Sequence, residues 1–368
     1  MTGRPRRSPD LRDRRVRMGR TQGASCHSPM LFGIQGNGRL GSVRAVDRYA
    51  MGSQGMKDQS RHCVFGPVPS RRLGRSLGVD LVPFKVCSYD CIYCQLGRTT
   101  MRTTKRAEYL PLESVMSELD KTMQSAPVPD VITLSGSGEP TLHSRLGELI
   151  SWIKRQTGLP LAVLTNGSLL WDPRVREDLA DADLVLPSLD AGDKHLFHYV
   201  NRPHPSIGFE KMIQGLEDFR REFSGKVWLE VFLLAGVTGI ESEVGKIAQI
   251  ARRMVPDRVH LNTVTRPPAE ERAYPVSPEQ MQRLAAAFGG LAEVLGDFHG
   301  ESGPFDATAP EQRILDLLRR RPCTVADIAD GLSLHPIQAL KLAERITKSG
   351  RASTTCLGRE TFYVSRER

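Results

Sequence analysis

The sequence contains no long apolar run. Only 39% of its 368 residues are apolar, and no stretch approaches the ~18 consecutive apolar residues that suggest a transmembrane helix. The Arg-rich amino terminus is also not followed by the apolar segment that a secretory signal needs. We therefore expect a cytoplasmic protein without a membrane partner.

The cysteines do not form the even, dispersed set that a disulfide framework uses. There are seven of them, and Cys87, Cys91 and Cys94 fall within one short segment. An odd number with such clustering fits poorly with paired disulfides. A reducing compartment and a metal site are the better interpretation.

Lysine is absent from residues 1–50, where eleven arginines stand against three acidic residues. This segment therefore carries nearly all of the net charge of +9, and the remaining residues are almost neutral. Because the folded part has so little net charge, bulk charge gives no argument for nucleic-acid binding.

Residues 1–58 lack apolar periodicity and are rich in Arg, Gly and Ser, which predicts a disordered basic extension. Three interpretations stay open. The segment is a non-functional extension with Met51 or Met56 as the true start, a basic tail that contacts nucleic acid, or an organelle transit peptide.

Short apolar runs alternate with helical patterns through residues 59–298, which predicts a core domain with a parallel sheet and right-handed crossovers. Periodicity alone leaves a partial barrel, a complete barrel and an open sheet as alternatives. In each case ligands bind at the carboxyl ends of the strands. The predicted strands are Gly78–Val82, Val131–Leu134, Leu161–Leu164, Leu184–Pro187, Val227–Leu234 and Arg258–Asn262. The predicted helices are Leu112–Gln124, Ser144–Gln156, Pro173–Ala180, Phe209–Glu222, Glu241–Arg253 and Pro278–Leu295.

A Gly- and Pro-rich linker at 299–310 separates this core from a second domain at 311–368. Helices are predicted over Glu311–Arg320, Val325–Gly331 and Pro336–Lys348, followed by a hairpin around Gly358. Three helices and a hairpin in about 60 residues have the outline of a winged helix-turn-helix. Such a domain binds nucleic acid or protein, and the fold does not decide which.

The spacing of Cys87, Cys91 and Cys94 is C-x3-C-x2-C, directly after the first predicted strand. Three thiolates on one loop can ligate three irons of a [4Fe–4S] cluster. No fourth cysteine lies nearby, so one iron would stay open to another ligand. A structural zinc site, the competing interpretation, usually needs four ligands.

With Tyr93 before the last cysteine, this motif resembles that of the radical S-adenosylmethionine (SAM) superfamily. The resemblance implies a partial (β/α)6 barrel, with SAM chelating the open iron. It also implies that an electron cleaves SAM to a 5′-deoxyadenosyl radical, which abstracts hydrogen from a substrate. The electron donor would be a protein such as flavodoxin or ferredoxin.

The same resemblance implies SAM contacts at the strand ends. Gly138, Glu139 and Pro140 follow the second strand, where the superfamily meets the SAM amino group. Asn166 follows the third strand, and Ser188 and Asp190 follow the fourth, where they could meet ribose hydroxyls. Asn262 ends the sixth strand near the expected adenine position, and Tyr93 would pack beside adenine.

Three further segments, Phe65–Gly78, Val200–Pro203 and Leu261–Pro268, look like those of radical SAM proteins related to wyosine (tRNA imidazoguanosine) synthetases. The true synthetases carry additional cysteines for a second cluster. Only Cys26 and Cys63 lie upstream here, so neither a second cluster nor the tRNA chemistry follows.

Several charged side chains have two interpretations. Arg71, Arg72, Arg202 and Arg266 could bind an anionic substrate, but structural or solvated arginines are the commoner case. His195, His198 and His204 lie in an expected loop with irregular spacing, which favours packing or surface roles over metal binding.

These motifs are compatible with two functions. The first is a radical SAM enzyme that acts on an RNA or a protein-bound group. The alternative is a non-catalytic iron–sulfur redox sensor that binds DNA through the winged helix. A sensor has no need of the Gly138–Pro140 segment beside an open iron, so the enzyme is the better prediction.

Overall fold

The computed structural model describes residues 62–125, 127–296 and 311–367. The predicted extension at 1–58 and linker at 299–310, together with Cys26, lie outside these residues. The described strands are β1 (Val64–Ser70), β2 (Gly74–Val79), β3 (Val86–Cys87), β4 (Met101–Arg102), β5 (Val131–Leu134), β6 (Leu161–Thr165), β7 (Leu184–Pro187), β8 (Lys226–Phe232), β9 (Arg258–Asn262), β10 (Ala292–Val294), β11 (Ala352–Leu357) and β12 (Glu360–Ser365). The helices are α1 (Leu112–Ser125), α2 (Leu146–Thr157), α3 (Pro173–Leu179), α4 (Lys194–Val200), α5 (Phe209–Glu222), α6 (Glu241–Met254), α7 (Pro278–Ala285), α8 (Glu311–Arg320), α9 (Val325–Leu332) and α10 (Pro336–Lys348).

The main sheet has eight strands in the order β1-β2-β5-β6-β7-β8-β9-β10. All neighbours from β2 onward are parallel, and only β1 runs antiparallel to β2. Helices connect the successive parallel strands, as the alternating sequence pattern predicts. This is an α/β architecture with a mainly parallel sheet, as the sequence predicts.

Apolar side chains cover both faces of this sheet. On the helix side a large cluster joins strand residues such as Val163 and Leu229 to helix residues such as Leu149 and Ile247. On the other side Ala162, Leu186 and their neighbours form a smaller cluster with Trp228. Burial on both faces explains why β5 to β7 read as unbroken apolar runs rather than alternating ones.

The sheet differs from its sequence prediction at both edges. The pattern does not predict β1, because Pro67 and Pro69 mask it; an edge strand tolerates proline since its outer N–H groups have no partner strand. The predicted helix Pro278–Leu295 is wrong beyond Ala285. Gly289 and Gly290 have φ values of 63° and 87°, which terminate the helical segment, and β10 follows.

Two other elements also differ from expectation. The first predicted strand, Gly78–Val82, begins at Gly74 and ends at Val79, because β1 and β5 supply its hydrogen-bond partners there. The expected loop around His195 and His198 is a short helix, α4. Asp193 begins this helix by accepting a hydrogen bond from the Leu196 backbone N–H at 3.0 Å.

The carboxyl-terminal residues form three helices and the hairpin β11–β12, at the predicted positions. Their core contains Ile314, Leu318, Ile328 and Ile346. Thr324 and Asp327 form a reciprocal capping box at the start of α9. We call residues 311–367 the C-terminal module; its identity as a winged helix stays a prediction. No helix in the described ranges is both long and apolar enough to cross a bilayer.

Candidate active site

A cavity of about 330 Å³ lies at the carboxyl ends of the parallel strands. We call it the central cavity. Eight of the residues predicted from the sequence to hold a cluster or SAM line it: Cys87, Tyr93, Cys94, Gly138, Glu139, Asn166, Ser188 and Asn262. Cys91, Pro140 and Asp190 are not part of the lining. Separate strand ends converge here because carboxyl ends of parallel strands share one edge of the sheet.

The three cysteines lie on one loop that is tied to its surroundings through backbone hydrogen bonds. Cys87 ends β3, and the Cys94 N–H donates to the Cys91 carbonyl at 3.2 Å. The Ile92 N–H donates to the Val200 carbonyl at 2.9 Å. All three thiols are free and partly exposed, so they remain available as ligands.

Each of the three sulfurs has a side-chain N–H donor of its own. The Lys85 ammonium lies 3.1 Å from Cys94 Sγ. Asn166 Nδ2 lies 3.5 Å from Cys87 Sγ, and Asn201 Nδ2 lies 3.6 Å from Cys91 Sγ. Donors directed at sulfur stabilise thiolates, and thiolates are the form that binds iron. The donor set therefore fits an iron–sulfur cluster.

Within the described ranges, no group of three or more His, Cys, Asp or Glu side chains is arranged for a single metal ion. Burial and the nearby Glu139 carboxylate raise the pKa of Cys87 to about 12, whereas Lys85 acts in the opposite direction. Burial alone would lower the pKa of Lys85, but the sulfurs of Cys94 and Cys87 raise it. Lys85 thus places a positive charge beside the cysteine sulfurs.

Glu139 is buried at the cavity wall and its carboxylate accepts four hydrogen bonds. Oε1 accepts from the backbone N–H and the hydroxyl of Thr141 and from the Thr165 hydroxyl, and Oε2 accepts from the Asn166 N–H at 2.7 Å. Burial raises the pKa of Glu139, and these donors oppose that rise. The carboxylate is thereby held in one orientation beside the cavity.

Gly138 allows the Glu139 segment to approach the cysteine loop closely. A Cβ atom at this position would lie 2.0 Å from the Val86 carbonyl oxygen, so no larger residue fits. The Glu139 N–H donates to that same carbonyl at 3.1 Å, and the Lys85 N–H donates to the Ser137 carbonyl at 2.7 Å. The cysteine loop and the Glu139 segment, which are distant in the sequence, thus form one wall of the central cavity.

The remaining predicted contacts are located at the strand ends. The Asn166 side chain bonds the Ser88 hydroxyl at 2.9 Å and accepts from the Ser168 N–H. Ser188 follows β7 and donates its backbone N–H to the Thr165 carbonyl at 3.1 Å. Asn262 ends β9 and accepts from the Thr263 N–H at 3.0 Å. Their placement keeps all three as candidates for SAM contacts.

Asp190 has a different environment from the one expected for a ribose contact. It is buried, and both carboxylate oxygens are occupied by the Tyr93 hydroxyl, by Asn201 Nδ2 at 2.7 Å and by the Phe232 N–H at 3.0 Å. Tyr93 also stacks on Phe232 with ring centroids 4.0 Å apart. Asp190 therefore holds Tyr93 and Asn201 in position from behind the cavity wall.

Several site residues are not predicted from the sequence. Glu230 lies on β8 between Trp228 and Phe232, on the face that lines the cavity, and it forms an ion pair with Arg72. A charged residue in the same alternating set as two aromatic residues is the available signal. Lys85 and Asn201 lie within the recognised motifs, but no pattern indicates that their side chains reach sulfur.

The geometry separates the alternatives for the arginines and histidines. Arg202 pairs with Glu270 at 2.8 Å, and Arg266 pairs with Asp327 at 2.6 Å. With Arg72 these are structural ion pairs, although Arg71, Arg72 and Arg266 also line the cavity. Of the histidines, His198 is exposed on α4.

Cys63, which lies upstream of the cysteine loop, donates its thiol hydrogen to Glu118 at 2.9 Å.

Comparison with known proteins connects this site to a family. The model of the radical SAM superfamily matches residues 81–249, which include the cysteine loop. A UPF0026 protein of Methanocaldococcus jannaschii is 32% identical over 293 residues, which cover 77% of this chain and 86% of the relative. The UPF0026 protein of Helicobacter pylori is 32% identical over 313 residues, or 84% of this chain and 100% of the relative.

A protein of Brachyspira hyodysenteriae named GTPase Obg is 40% identical over 291 residues; this chain spans only 43% of that relative's length. Among solved structures, a radical SAM methyltransferase from Sphaerobacter thermophilus has a TM-score of 0.47 and 18% identity over 60% of this chain and 66% of that one. The chain belongs to the UPF0026 family and to the radical SAM superfamily, whose enzymes act with SAM and a [4Fe–4S] cluster.

Proposed function

We propose that this enzyme reductively cleaves SAM at a [4Fe–4S] cluster held by Cys87, Cys91 and Cys94. The observation that carries the proposal is a single loop with three free thiols, each with its own N–H donor. Two of these cysteines, Cys87 and Cys94, line a cavity whose wall contains the Glu139 carboxylate. When bound, the cluster supplies one electron that cleaves SAM to methionine and a 5′-deoxyadenosyl radical.

The chain's own residues bind and orient SAM in this proposal. Glu139 accepts from the SAM ammonium group, because it is a buried carboxylate fixed by four donors. Gly138 keeps the backbone close enough for that contact. Asn166, Ser188 and Asn262 offer polar groups to the ribose and adenine, and the ring of Tyr93 lies against the nucleoside.

The substrate class is proposed as an RNA or a protein-bound group, with a flavodoxin or ferredoxin as the source of electrons. The relationship to wyosine-type proteins stays a prediction. The alternative function, a DNA-binding redox sensor, is not favoured. A sensor would have no use for a cavity that combines Glu139, Asn166 and Asn262 beside the cysteines.

Anaerobic reconstitution tests the proposal. The protein is loaded with iron and sulfide, reduced with dithionite and mixed with SAM, and 5′-deoxyadenosine is quantified. We expect deoxyadenosine from the native protein and none from Cys91→Ala. Cys356→Ala, a substitution of an exposed cysteine in the C-terminal module, is the matched control and should behave as the native protein. A full cluster whose EPR signal does not respond to SAM, with no deoxyadenosine, would refute the proposal.

A further inference from the structure

The backbone of Cys87 lies one strand away from an exposed surface. β4 pairs with β3 so that Arg102 lies beside Cys87, and the Thr103 N–H donates to the Cys87 carbonyl at 3.0 Å. Neighbouring strands lie about 5 Å apart. Met101 is 52% exposed, and Arg102 is exposed as well. Solvent thus comes close to a predicted cluster ligand at β4, whose residues are not part of the lining of the central cavity.

A second cavity, of about 440 Å³, adjoins β4. Two of its lining residues directly follow residues that form hydrogen bonds with the cysteine loop. Thr104 follows the residue that donates to Cys87, and Leu169 follows Ser168, whose hydroxyl bonds Ser88 at 2.6 Å. Ser206, which bonds Thr104 at 3.3 Å, completes this side. The cavity and β4 therefore form one surface behind the cluster loop.

This surface carries a net positive charge. Within the described ranges, the ammonium groups of Lys105 and Lys211 form no ion pair, and that of Lys211 lies 3.3 Å from the centre of the Trp171 ring. The nearby carboxylates Asp172 and Asp178 are already paired with Arg174 and Arg106, and Glu210 is an exposed acid beside Lys211. Arg106 and Arg174 therefore add no net charge, and within the described ranges the cations without an acidic partner are Arg102, Lys105 and Lys211.

We propose that this surface, which we call the docking face (Met101, Arg102, Lys105 and the rim of the second cavity), binds a small acidic protein that carries single electrons. The inference rests on the proposed function. On docking, a flavin or iron–sulfur centre of the carrier is oxidised by one electron, and the cluster on the cysteine loop is reduced by one. No bond forms or breaks at this face.

The composition of the face favours a protein carrier over RNA. An exposed apolar side chain, Met101, beside the cations Arg102 and Lys105 suits small electron-transfer interfaces, which are steered by charge and sensitive to salt. Single-stranded RNA would be recognised through base stacking on aromatic rings. The one aromatic ring in the wall of the second cavity, that of Trp171, is covered by Lys211.

The test uses the cluster-loaded full chain with a bacterial flavodoxin and a [2Fe–2S] ferredoxin as probes. The test variant is Lys105→Glu with Lys211→Glu. The control is Lys121→Glu with Lys226→Glu, which makes the same change in net charge at exposed lysines of α1 and of the first residue of β8. Binding is measured by calorimetry at low and high salt. Deoxyadenosine is measured with carrier-derived electrons and, separately, with dithionite.

We expect the test variant to bind at least one carrier about tenfold more weakly at low salt and to lose carrier-driven turnover in proportion. Its dithionite-driven turnover and the control variant should match the native protein. The proposal is overturned if neither carrier binds, if the test variant binds as well as native, or if only RNA binding is lost. Absence of dithionite-driven deoxyadenosine in every variant would instead refute the proposed function, and the binding data would still stand.

Discussion

At the scale of single residues, the donors to the cysteine sulfurs are the features most open to experiment. Lys85 contributes a full positive charge at 3.1 Å from Cys94 Sγ, whereas Asn166 and Asn201 contribute neutral amides. Hydrogen bonds and charge near the sulfurs tune the potential of an iron–sulfur cluster. A positive donor favours the reduced state, because that state carries more negative charge.

Lys85→Met should therefore lower the reduction potential of the cluster. A charged hydrogen bond is worth about 1.5–3 kcal/mol, so a shift of about 65–130 mV is expected for a one-electron couple. EPR-monitored redox titration of the reconstituted protein measures it. Lys105→Met makes the same chemical change at an exposed position and should leave the potential unchanged. Equal potentials in the two variants would contradict the role of Lys85.

Glu139→Gln tests the predicted contact with the SAM amino group. The substitution keeps the shape of the side chain but removes the charge and places an amide among four donors. SAM affinity should fall about tenfold to a hundredfold, the equivalent of losing one charge-assisted hydrogen bond. Equilibrium binding to the reconstituted protein measures this, with Glu148→Gln on the exposed face of α2 as control. Native affinity in Glu139→Gln would remove Glu139 from the SAM site.

At the scale of secondary-structure elements, an ion pair connects α8 to the residue that follows β2, and that residue in turn bonds the loop before Gly138. Arg320 pairs with Asp80, and its side chain also bonds the His62 carbonyl at 2.7 Å. Asp80 in turn accepts from the N–H and the hydroxyl of Ser137. Helix α8 of the C-terminal module thereby reaches the segment that carries Glu139.

Arg320→Met should destabilise the protein by about 3–5 kcal/mol, because it leaves the buried Asp80 carboxylate without its counter-charge. SAM affinity should fall as well, since Asp80 then holds the Ser137 segment less firmly. Arg319→Met, one residue earlier, breaks only pairs inside the module with Asp316 and Glu367 and serves as the control. Denaturant unfolding and SAM binding are both measured. If Arg320→Met matches Arg319→Met in both, the module does not support this loop.

At the scale of the whole molecule, the C-terminal module contacts the core at more than one place. Asp327 of α9 pairs with Arg266, which lines the central cavity, and Leu357 of β11 packs against the apolar cluster that includes Ile92 and Val264. The module is therefore part of the surroundings of the site. Its effect on stability should depend on pH through the Asp327 carboxylate.

Burial alone would raise the pKa of Asp327, but the Arg266 guanidinium holds it below its usual range. A group whose pKa is depressed in the folded state stabilises that state above its unfolded pKa of about 3.9, and the contribution is lost as the pH falls through the folded value. Asp327→Asn should thus be less stable than native by about 1.5–3 kcal/mol at pH 7. The difference should shrink below about pH 4.

Denaturant unfolding of both proteins between pH 3 and pH 8 checks this, and the asparagine can still accept the Thr324 N–H of the capping box. A gap in stability that is the same at every pH would mean that the Arg266 pair contributes nothing electrostatic.

The sequence alone was sufficient to predict the parallel sheet, most helices and the cysteine motif. The periodicity of apolar residues, the helix caps and the spacing of the cysteines are all local properties of the sequence. It also placed Glu139, Asn166 and Asn262 at strand ends, which topology brings to one edge. Only the tertiary structure decided the partners of the side chains. Asp190 binds Tyr93 instead of opening to the cavity, Arg72 and Arg266 are neutralised by Glu230 and Asp327, and Lys85 reaches Cys94. These contacts depend on how segments that are distant in the sequence pack together, and a local sequence pattern does not determine that packing.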